Sequence, residues 1–133
     1  MVDPVWRTGK LCYVEIPSVD VQQSADFYAR AFGWRIRPDA HGQPSFDDTT
    51  GQVSGTFVRD RPPAAEPGFM LYVMVANAAD AEEKVIAAGG EIVMPVGNYG
   101  GETLGRFRDP SGNVMGVYQQ PGLAEMEAEA STG

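Results

Sequence analysis

A twelve-residue stretch near the end of the chain is a near copy of a stretch in its first half. The segment FRDPSGNVMGVY at residues 107–118 aligns without gaps with FDDTTGQVSGTF at residues 46–57. Five of the twelve positions are identical: Phe46 with Phe107, Asp48 with Asp109, Gly51 with Gly112, Val53 with Val114 and Gly55 with Gly116. Such self-similarity indicates an internal repeat, so we predict two related modules.

The length of the chain requires these modules to share one core. Half of a 133-residue chain buries too little surface to be stable alone. We therefore predict a single domain at residues 10–120, after a short leader at 1–9. The acidic tail at 121–133 is expected to be flexible, although its Ala, Leu, Met and Glu content also suits a short helix.

The first module, residues 10–58, is predicted to follow the order βαβββ. Residues 10–17, KLCYVEIP, alternate in polarity as a strand does. Asp20 then has the position of a helix cap, and Gly33 ends the helical spacing of apolar residues. Short strands are expected after this helix.

The second module, residues 69–120, repeats this order after a proline-rich linker at 59–68. Asn77 corresponds to Asp20 at an offset of 57 residues, whereas the final strand pairs differ by 61. The extra residues lie in the glycine-rich stretch GNYGGETL at 97–104, which we interpret as a loop with Tyr99 as a candidate lid residue.

Each helix covers only one face of its sheet, so the opposite faces must meet something else. We predict an α+β fold in which the two tandem βαβββ modules form an open barrel-like mixed sheet around a cleft, with the helices outside. Alternate residues of the paired strands would line that cleft.

Composition and charge exclude several classes of partner. A formal charge of −8 disfavours nucleic acid, which requires a basic surface. No apolar run is long enough to span a bilayer, and the first ten residues lack the hydrophobic segment of a signal peptide. Cys12 is the only cysteine, so no intrachain disulfide forms and a reducing cytoplasm is expected.

Four segments in this order support a named resemblance. The segments YVEIPSVD, ADFYARAFGW, AAGGEIVMP and RFRDPSGNVMGVYQ resemble the glyoxalase, bleomycin resistance protein and extradiol dioxygenase group, the vicinal oxygen chelate superfamily. The resemblance covers residues 10–120. It implies two βαβββ modules around a cleft that is often completed by dimerisation, so we expect a homodimer.

The resemblance also implies four positions for metal ligands, in the first and last strand of each module. They fall on Tyr13, Gly55, Met70 and Gly116, none of which is a usual ligand of a divalent metal. The only histidine, His41, lies in a predicted turn. We therefore expect a member of the superfamily without the usual metal ligands, and no cofactor.

Strand alternation predicts a cleft with aromatic and apolar walls. The predicted ligand-binding residues are Tyr13, Glu15, Gly55, Phe57, Met70, Tyr72, Met74, Gly116 and Tyr118, with Val53 and Val114 beside them and Tyr99 from the loop. Glu15 is the one carboxylate among them and a candidate for proton transfer or for pairing with a ligand cation. Alternatively, it is a rim residue that pairs with Arg106, Arg108 or solvent.

These observations favour a small-molecule-binding protein that needs no metal and holds a hydrophobic or aromatic, in some cases cationic, ligand. One alternative is a lyase, isomerase or dioxygenase of the same superfamily that depends on a divalent metal. Another is an accessory protein whose cleft is filled by its own side chains and whose surface mediates association.

Overall fold

A computed structural model of the chain describes residues 5–132, so part of the predicted leader lies outside the described residues. These residues follow the predicted order βαβββ twice and end in a third helix. The elements are β1 (Tyr13–Pro17), α1 (Val21–Phe32), β2 (Arg35–Pro38), β3 (Pro44–Asp47), β4 (Ser54–Val58), β5 (Tyr72–Val75), α2 (Ala78–Ala87), β6 (Glu91–Tyr99), β7 (Glu102–Arg108), β8 (Val114–Gln119) and α3 (Leu123–Thr132).

The strands form two separate four-stranded mixed sheets. The first sheet has the order β1-β4-β3-β2 and the second the order β5-β8-β7-β6. In each sheet the first and last strands of the module are parallel and the other neighbours are antiparallel. The sheets do not close into a barrel, so the predicted α+β class and open arrangement are confirmed.

The predicted caps determine where the two main helices begin. The Asp20 carboxylate accepts a hydrogen bond from the backbone N–H of Gln23. In the second module, the Asn77 side-chain oxygen accepts one from the backbone N–H of Asp80. Helix α1 ends at Gly33, whose φ of 73° lies in the left-handed region that favours glycine. Both helices therefore occupy the segments that the sequence predicts.

The two modules share one hydrophobic core. Helix α1 packs on the first sheet and contacts α2, which packs on the second sheet. Phe27 of α1 also lies 5.9 Å, between ring centroids, from Phe107 of β7. The helices thus cover one face of each sheet, and the other face, which we call the outer face, points away from the core.

The DPSGN turn of the second module is buried beneath the first module. The Tyr28 hydroxyl of α1 donates to the Asp109 carboxylate at 2.8 Å, and the Asn113 side-chain amide donates to the Pro17 carbonyl at 2.6 Å. Asp109 is 3% exposed and Asn113 is 1% exposed. This turn has a structural role, and it also fixes the position of one module against the other.

The first module's equivalent turn is one residue longer, and this corrects the predicted face of β4. The Asp48 N–H bonds to the carbonyl of Val53, whereas the Asp109 N–H bonds to that of Asn113. Phe46 consequently pairs with Gly55, but Phe107 pairs with Met115. A shift of one residue moves every side chain of a strand to the opposite face.

The predicted placement of Gly55 and Phe57 in the cleft is therefore wrong. Phe57 is 6% exposed and packs with Tyr28 and Phe46 in the core. A Cβ at Gly55 would lie 2.3 Å from the Phe46 ring, so this glycine makes room for a core phenylalanine and not for a ligand. Thr56, not Gly55, is the structural equivalent of Gly116.

The glycine-rich stretch at 97–104 is not the loop that we predicted. Strands β6 and β7 continue through it and meet at a tight turn of Gly100 and Gly101, with φ of 63° and 89°. Two consecutive positive-φ residues suit a two-residue hairpin, because its twist matches that of the flanking strands. The extra residues lengthen a hairpin in the second sheet.

Candidate functional site

The outer face of the second sheet carries the main cluster of exposed aromatic side chains on that sheet. Tyr72 of β5, Gly116 of β8 and Arg106 of β7 lie in one row across it. Met74, Tyr118 and Leu104 form the next row. Opposed residues of neighbouring strands point to the same face, so these six positions are adjacent on one surface.

Gly116 allows the Tyr72 ring to lie flat on the sheet. A Cβ at position 116 would approach the ring carbons of Tyr72 to 2.3 Å. The Tyr72 hydroxyl thereby reaches Arg106, whose Nε and Nη2 donate to it at 3.2 and 3.0 Å. Gly116, which the sequence analysis predicted to be a ligand-binding residue, is therefore covered by an aromatic ring.

The outer face of the first sheet is polar in comparison. Arg37 donates to both carboxylate oxygens of Asp47 at 2.8 and 3.0 Å, and Ser54 also donates to Asp47. The hydrogen bonds from Arg37 lower the pKa of Asp47 to about 2. Tyr13 is 58% exposed on the same face.

Glu15 lies on this polar face and pairs with Arg61 of the linker. Its side chain is 45% exposed, so Glu15 does not lie inside an aromatic cleft as the sequence analysis expected. The structure is nearer to the alternative in which Glu15 is a rim residue with an arginine partner. That partner is Arg61, however, and not Arg106 or Arg108. Arg108 instead lies 3.6 Å from the Glu91 carboxylate.

A cleft of about 500 Å³ is lined by residues of both β1 and β5, which are edge strands of the two sheets, and we call it the seam cleft. Its apolar lining includes Leu11, Trp34, Phe46, Leu71, Tyr72 and Met74, and its polar lining consists of Asp48, Thr49, Thr50 and Glu127. A second space of about 510 Å³ shares Trp34 and Met74 with it and extends towards α2. The seam cleft is large enough for a small organic molecule.

The C-terminal helix contributes to this cleft. Leu123 and Glu127, one helical turn apart on α3, both line it. Met126 between them is 66% exposed and is not among the lining residues. Helix α3 thus supplies one wall of the cleft.

The structure brings together part of the predicted site. Tyr72 and Met74 line the seam cleft and also belong to the second outer face, which carries Gly116 and Tyr118. Tyr13 and Glu15 lie on the other sheet, and Met70 precedes β5. Tyr99 ends β6, where its hydroxyl donates to the Pro95 carbonyl at 2.8 Å.

Several lining residues were not predicted. Trp34 precedes a strand and Leu123 belongs to the tail, so strand alternation did not select either. Arg106 was considered only as a partner for Glu15. The spacing of Leu123 and Glu127 was the one signal in the sequence that could have identified a face of α3.

The resemblance assigned metal ligands to four positions, in the first and last strand of each module. These positions hold a phenol, a thioether and glycine, and the shifted register of β4 replaces Gly55 by Thr56. Within residues 5–132, no three His, Cys, Asp or Glu side chains cluster as metal ligands. His41 is exposed in the turn after β2, where its N–H donates to the Asp39 carboxylate.

The Cys12 side chain is exposed. Among the described residues, no helix has both the length and the apolar character to cross a bilayer.

The fold of this chain consists of two tandem βαβββ modules, with a cleft lined by strands of both. A profile of the Glyoxalase/Bleomycin resistance protein/Dioxygenase superfamily matches residues 10–117. The chain therefore belongs to this superfamily, as its sequence motifs indicated.

Individual relatives are distant. A "Glyoxylase-like domain-containing protein" of Didymella fabae is 27% identical over 86% of this chain and 96% of its own length. The "Anthracycline biosynthesis protein DauV" of Streptomyces sp. (strain C5) is 29% identical over 94% of this chain, which spans 51% of that protein. The solved structure of "TnmS3, an antibiotic binding protein from Streptomyces sp. CB03234" shares the fold, with a TM-score of 0.66 at 21% identity over 86% of this chain and 98% of that one.

Proposed function

We propose that this chain is a small-molecule-binding protein that holds an apolar aromatic compound in the seam cleft without a metal. The observation that carries the proposal is the cleft itself. Its volume of about 500 Å³ falls within the usual range for ligand sites. Its walls combine aromatic and thioether side chains with a few polar groups, which is the usual lining of such sites.

Two relatives support this choice by what their own names describe. TnmS3 is described as an antibiotic-binding protein, and DauV as a protein of anthracycline biosynthesis. An anthracycline is a flat polycyclic compound, and stacking on aromatic rings suits ligands of that shape. From these relatives we infer for this chain only the class of ligand, an apolar aromatic molecule.

The proposal includes a homodimer. Tyr13 is 58% exposed on the first outer face, and Met74 is 60% exposed on the second. A second copy would cover both faces and the free edges of β1 and β5, which reduces the exposure of apolar side chains and unpaired strand groups. Sedimentation equilibrium at micromolar concentration should give twice the chain mass, and a monomer throughout would refute the dimer.

Glu15 receives no catalytic role in this proposal, because Arg61 pairs with it on an exposed surface. Tyr99 is retained only as a possible contact at the end of the second outer face. The metal-dependent alternative needs about three donor side chains at one point, and the residues at the superfamily's ligand positions do not supply them.

A thermal-shift comparison tests the proposed function. Polycyclic aromatic compounds that bind the folded state should raise the midpoint of unfolding as their concentration exceeds Kd. At a concentration of about 100 Kd the stabilisation is about 2.7 kcal/mol, which is several degrees for a domain of this size. Saturated polar compounds of similar mass are the control, and equal effects of both groups would contradict the proposal.

A further inference from the structure

Arg106 is a cation on an aromatic surface without a carboxylate partner in the described part of the chain. Its neighbour on the same strand and face, Arg108, lies 3.6 Å from the Glu91 carboxylate, and Arg37 and Arg61 also have acidic partners. Arg106 instead donates twice to the Tyr72 hydroxyl. Arg106 thus donates to a tyrosine that also lines the seam cleft.

The pair of Arg106 and Tyr72 presents hydrogen-bond donors and no free acidic acceptor. A guanidinium has five N–H groups, and Arg106 uses one on Nε and one on Nη2 for the same phenol oxygen. The Tyr72 hydroxyl accepts both bonds, and its own proton donates to none of the described residues. The remaining donors of both side chains can therefore bind an anionic oxygen.

The position of this pair connects it to the seam cleft. Tyr72 belongs both to the cleft lining and to the row that contains Arg106. Asp48 and Glu127 also line the cleft and would repel an anion. A ligand with one acidic group should therefore place that group at the Tyr72 end and its rings in the cleft.

We propose that the ligand is an aromatic acid whose carboxylate, sulfonate or ionised phenol binds Arg106 and the Tyr72 hydroxyl. This assignment rests on the proposed function and narrows it. It replaces the cationic ligand that the sequence left open. Half-buried guanidinium groups bind anionic oxygens more strongly than neutral ones, because the hydrogen bonds are charge-assisted.

Two fluorescent dyes with a common ring system provide the test. N-phenyl-1-naphthylamine is neutral, whereas 1-anilinonaphthalene-8-sulfonate is the same ring system with a sulfonate. The full-length protein is titrated with each dye as wild type, as Arg106→Gln and as Arg108→Gln. Arg108 is the matched control, since it lies two residues away on the same strand face and already has a carboxylate partner.

We expect Arg106→Gln to weaken binding of the sulfonate dye about tenfold, because one charge-assisted contact is lost. Its affinity for the neutral dye should stay within twofold of wild type, and Arg108→Gln should leave both affinities within twofold. Raising the salt concentration should weaken the binding of the sulfonate dye but not of the neutral dye, and only when Arg106 is present.

Three results would overturn the assignment. If the neutral dye binds but Arg106→Gln leaves the sulfonate dye unaffected, the assignment fails and the proposed function stands. If Arg106→Gln converts a dimer to a monomer, Arg106 serves an interface between copies instead. If wild type binds neither dye, the proposed function fails together with this assignment.

Discussion

Replacement of Asp109 by alanine should lower the free energy of unfolding by about 3 to 5 kcal/mol, whereas Asp48→Ala should cost only about 1 kcal/mol. The two residues are equivalent in the internal repeat, and both accept hydrogen bonds within a hairpin turn. They differ in what surrounds them. The repeat thus provides its own matched control.

Asp109 accepts four hydrogen bonds in a buried environment. The donors are the Tyr28 hydroxyl and the Asn113 side-chain amide at 2.8 Å each, the Ser111 N–H at 3.0 Å and the Asn113 N–H at 2.9 Å. Tyr28 is fully buried, and its burial, followed by the charge of Asp109, raises the pKa of the Tyr28 hydroxyl well above its usual value. Alanine at position 109 would remove the acceptor of all four bonds from a buried site, and only the weak Met115 Sδ for Tyr28 and the Pro17 carbonyl for the Asn113 amide would remain.

Asp48 has a partly exposed setting. It accepts from the Thr50 hydroxyl at 2.8 Å, from the Gln52 N–H at 3.1 Å and from the Val53 N–H at 3.4 Å, and water can replace it at these partly exposed donors. Urea unfolding followed by circular dichroism measures both changes by linear extrapolation. Equal losses for Asp109→Ala and Asp48→Ala would contradict the role of the second turn in joining the modules.

Met74→Glu should weaken binding of the neutral naphthylamine dye about tenfold. Met74 lines the seam cleft and its neighbouring space, and its thioether is available to contact aromatic rings. A glutamate there loses that contact and becomes desolvated when the dye covers it, which costs about 1 to 3 kcal/mol. The side chain is 60% exposed in the free protein, so folding should change little.

Met126→Glu is the matched control for this prediction. Met126 is 66% exposed on α3, is not among the residues that line the cleft, and undergoes the same chemical change. Fluorescence titration of both variants measures the two affinities directly. If Met74→Glu binds the dye as wild type does, the dye does not occupy the seam cleft; if both variants lose affinity equally, the effect is general charge repulsion.

The sequence predicts the fold well because its signals are local and repeated. The caps at Asp20 and Asn77 and the stop at Gly33 determine the helix ends through hydrogen bonds to nearby backbone groups. The repeat then places the same strand order in both halves. A resemblance in four motifs adds the superfamily, which the match over residues 10–117 confirms.

The face of β4 could not be predicted from the same repeat. The gap-free alignment pairs Gly55 with Gly116, but the first hairpin accommodates one more residue between its flanking strands. Two turns of different length have almost the same composition of Asp, Thr, Ser and Gly. The side chains of β4 therefore lie on the opposite face from those at the aligned positions of β8. The pattern of polar and apolar residues does not reveal this difference.

The seam cleft could not be predicted from the sequence for a different reason. It forms where separate segments meet, including Trp34 before β2, Leu71 before β5 and Leu123 in α3. Periodicity describes one element at a time and contains no information about packing between modules. Likewise, the partner of Arg106 is determined by its cross-strand row and not by its neighbours in sequence.

Titration with the neutral dye before and after dialysis against EDTA tests the central claim, namely that the seam cleft binds an aromatic molecule without a metal. We predict saturable binding of about one dye per chain, with the same Kd in both samples. Absence of saturable binding would contradict the claim. So would binding that EDTA abolishes and that one equivalent of zinc, manganese, nickel or iron restores.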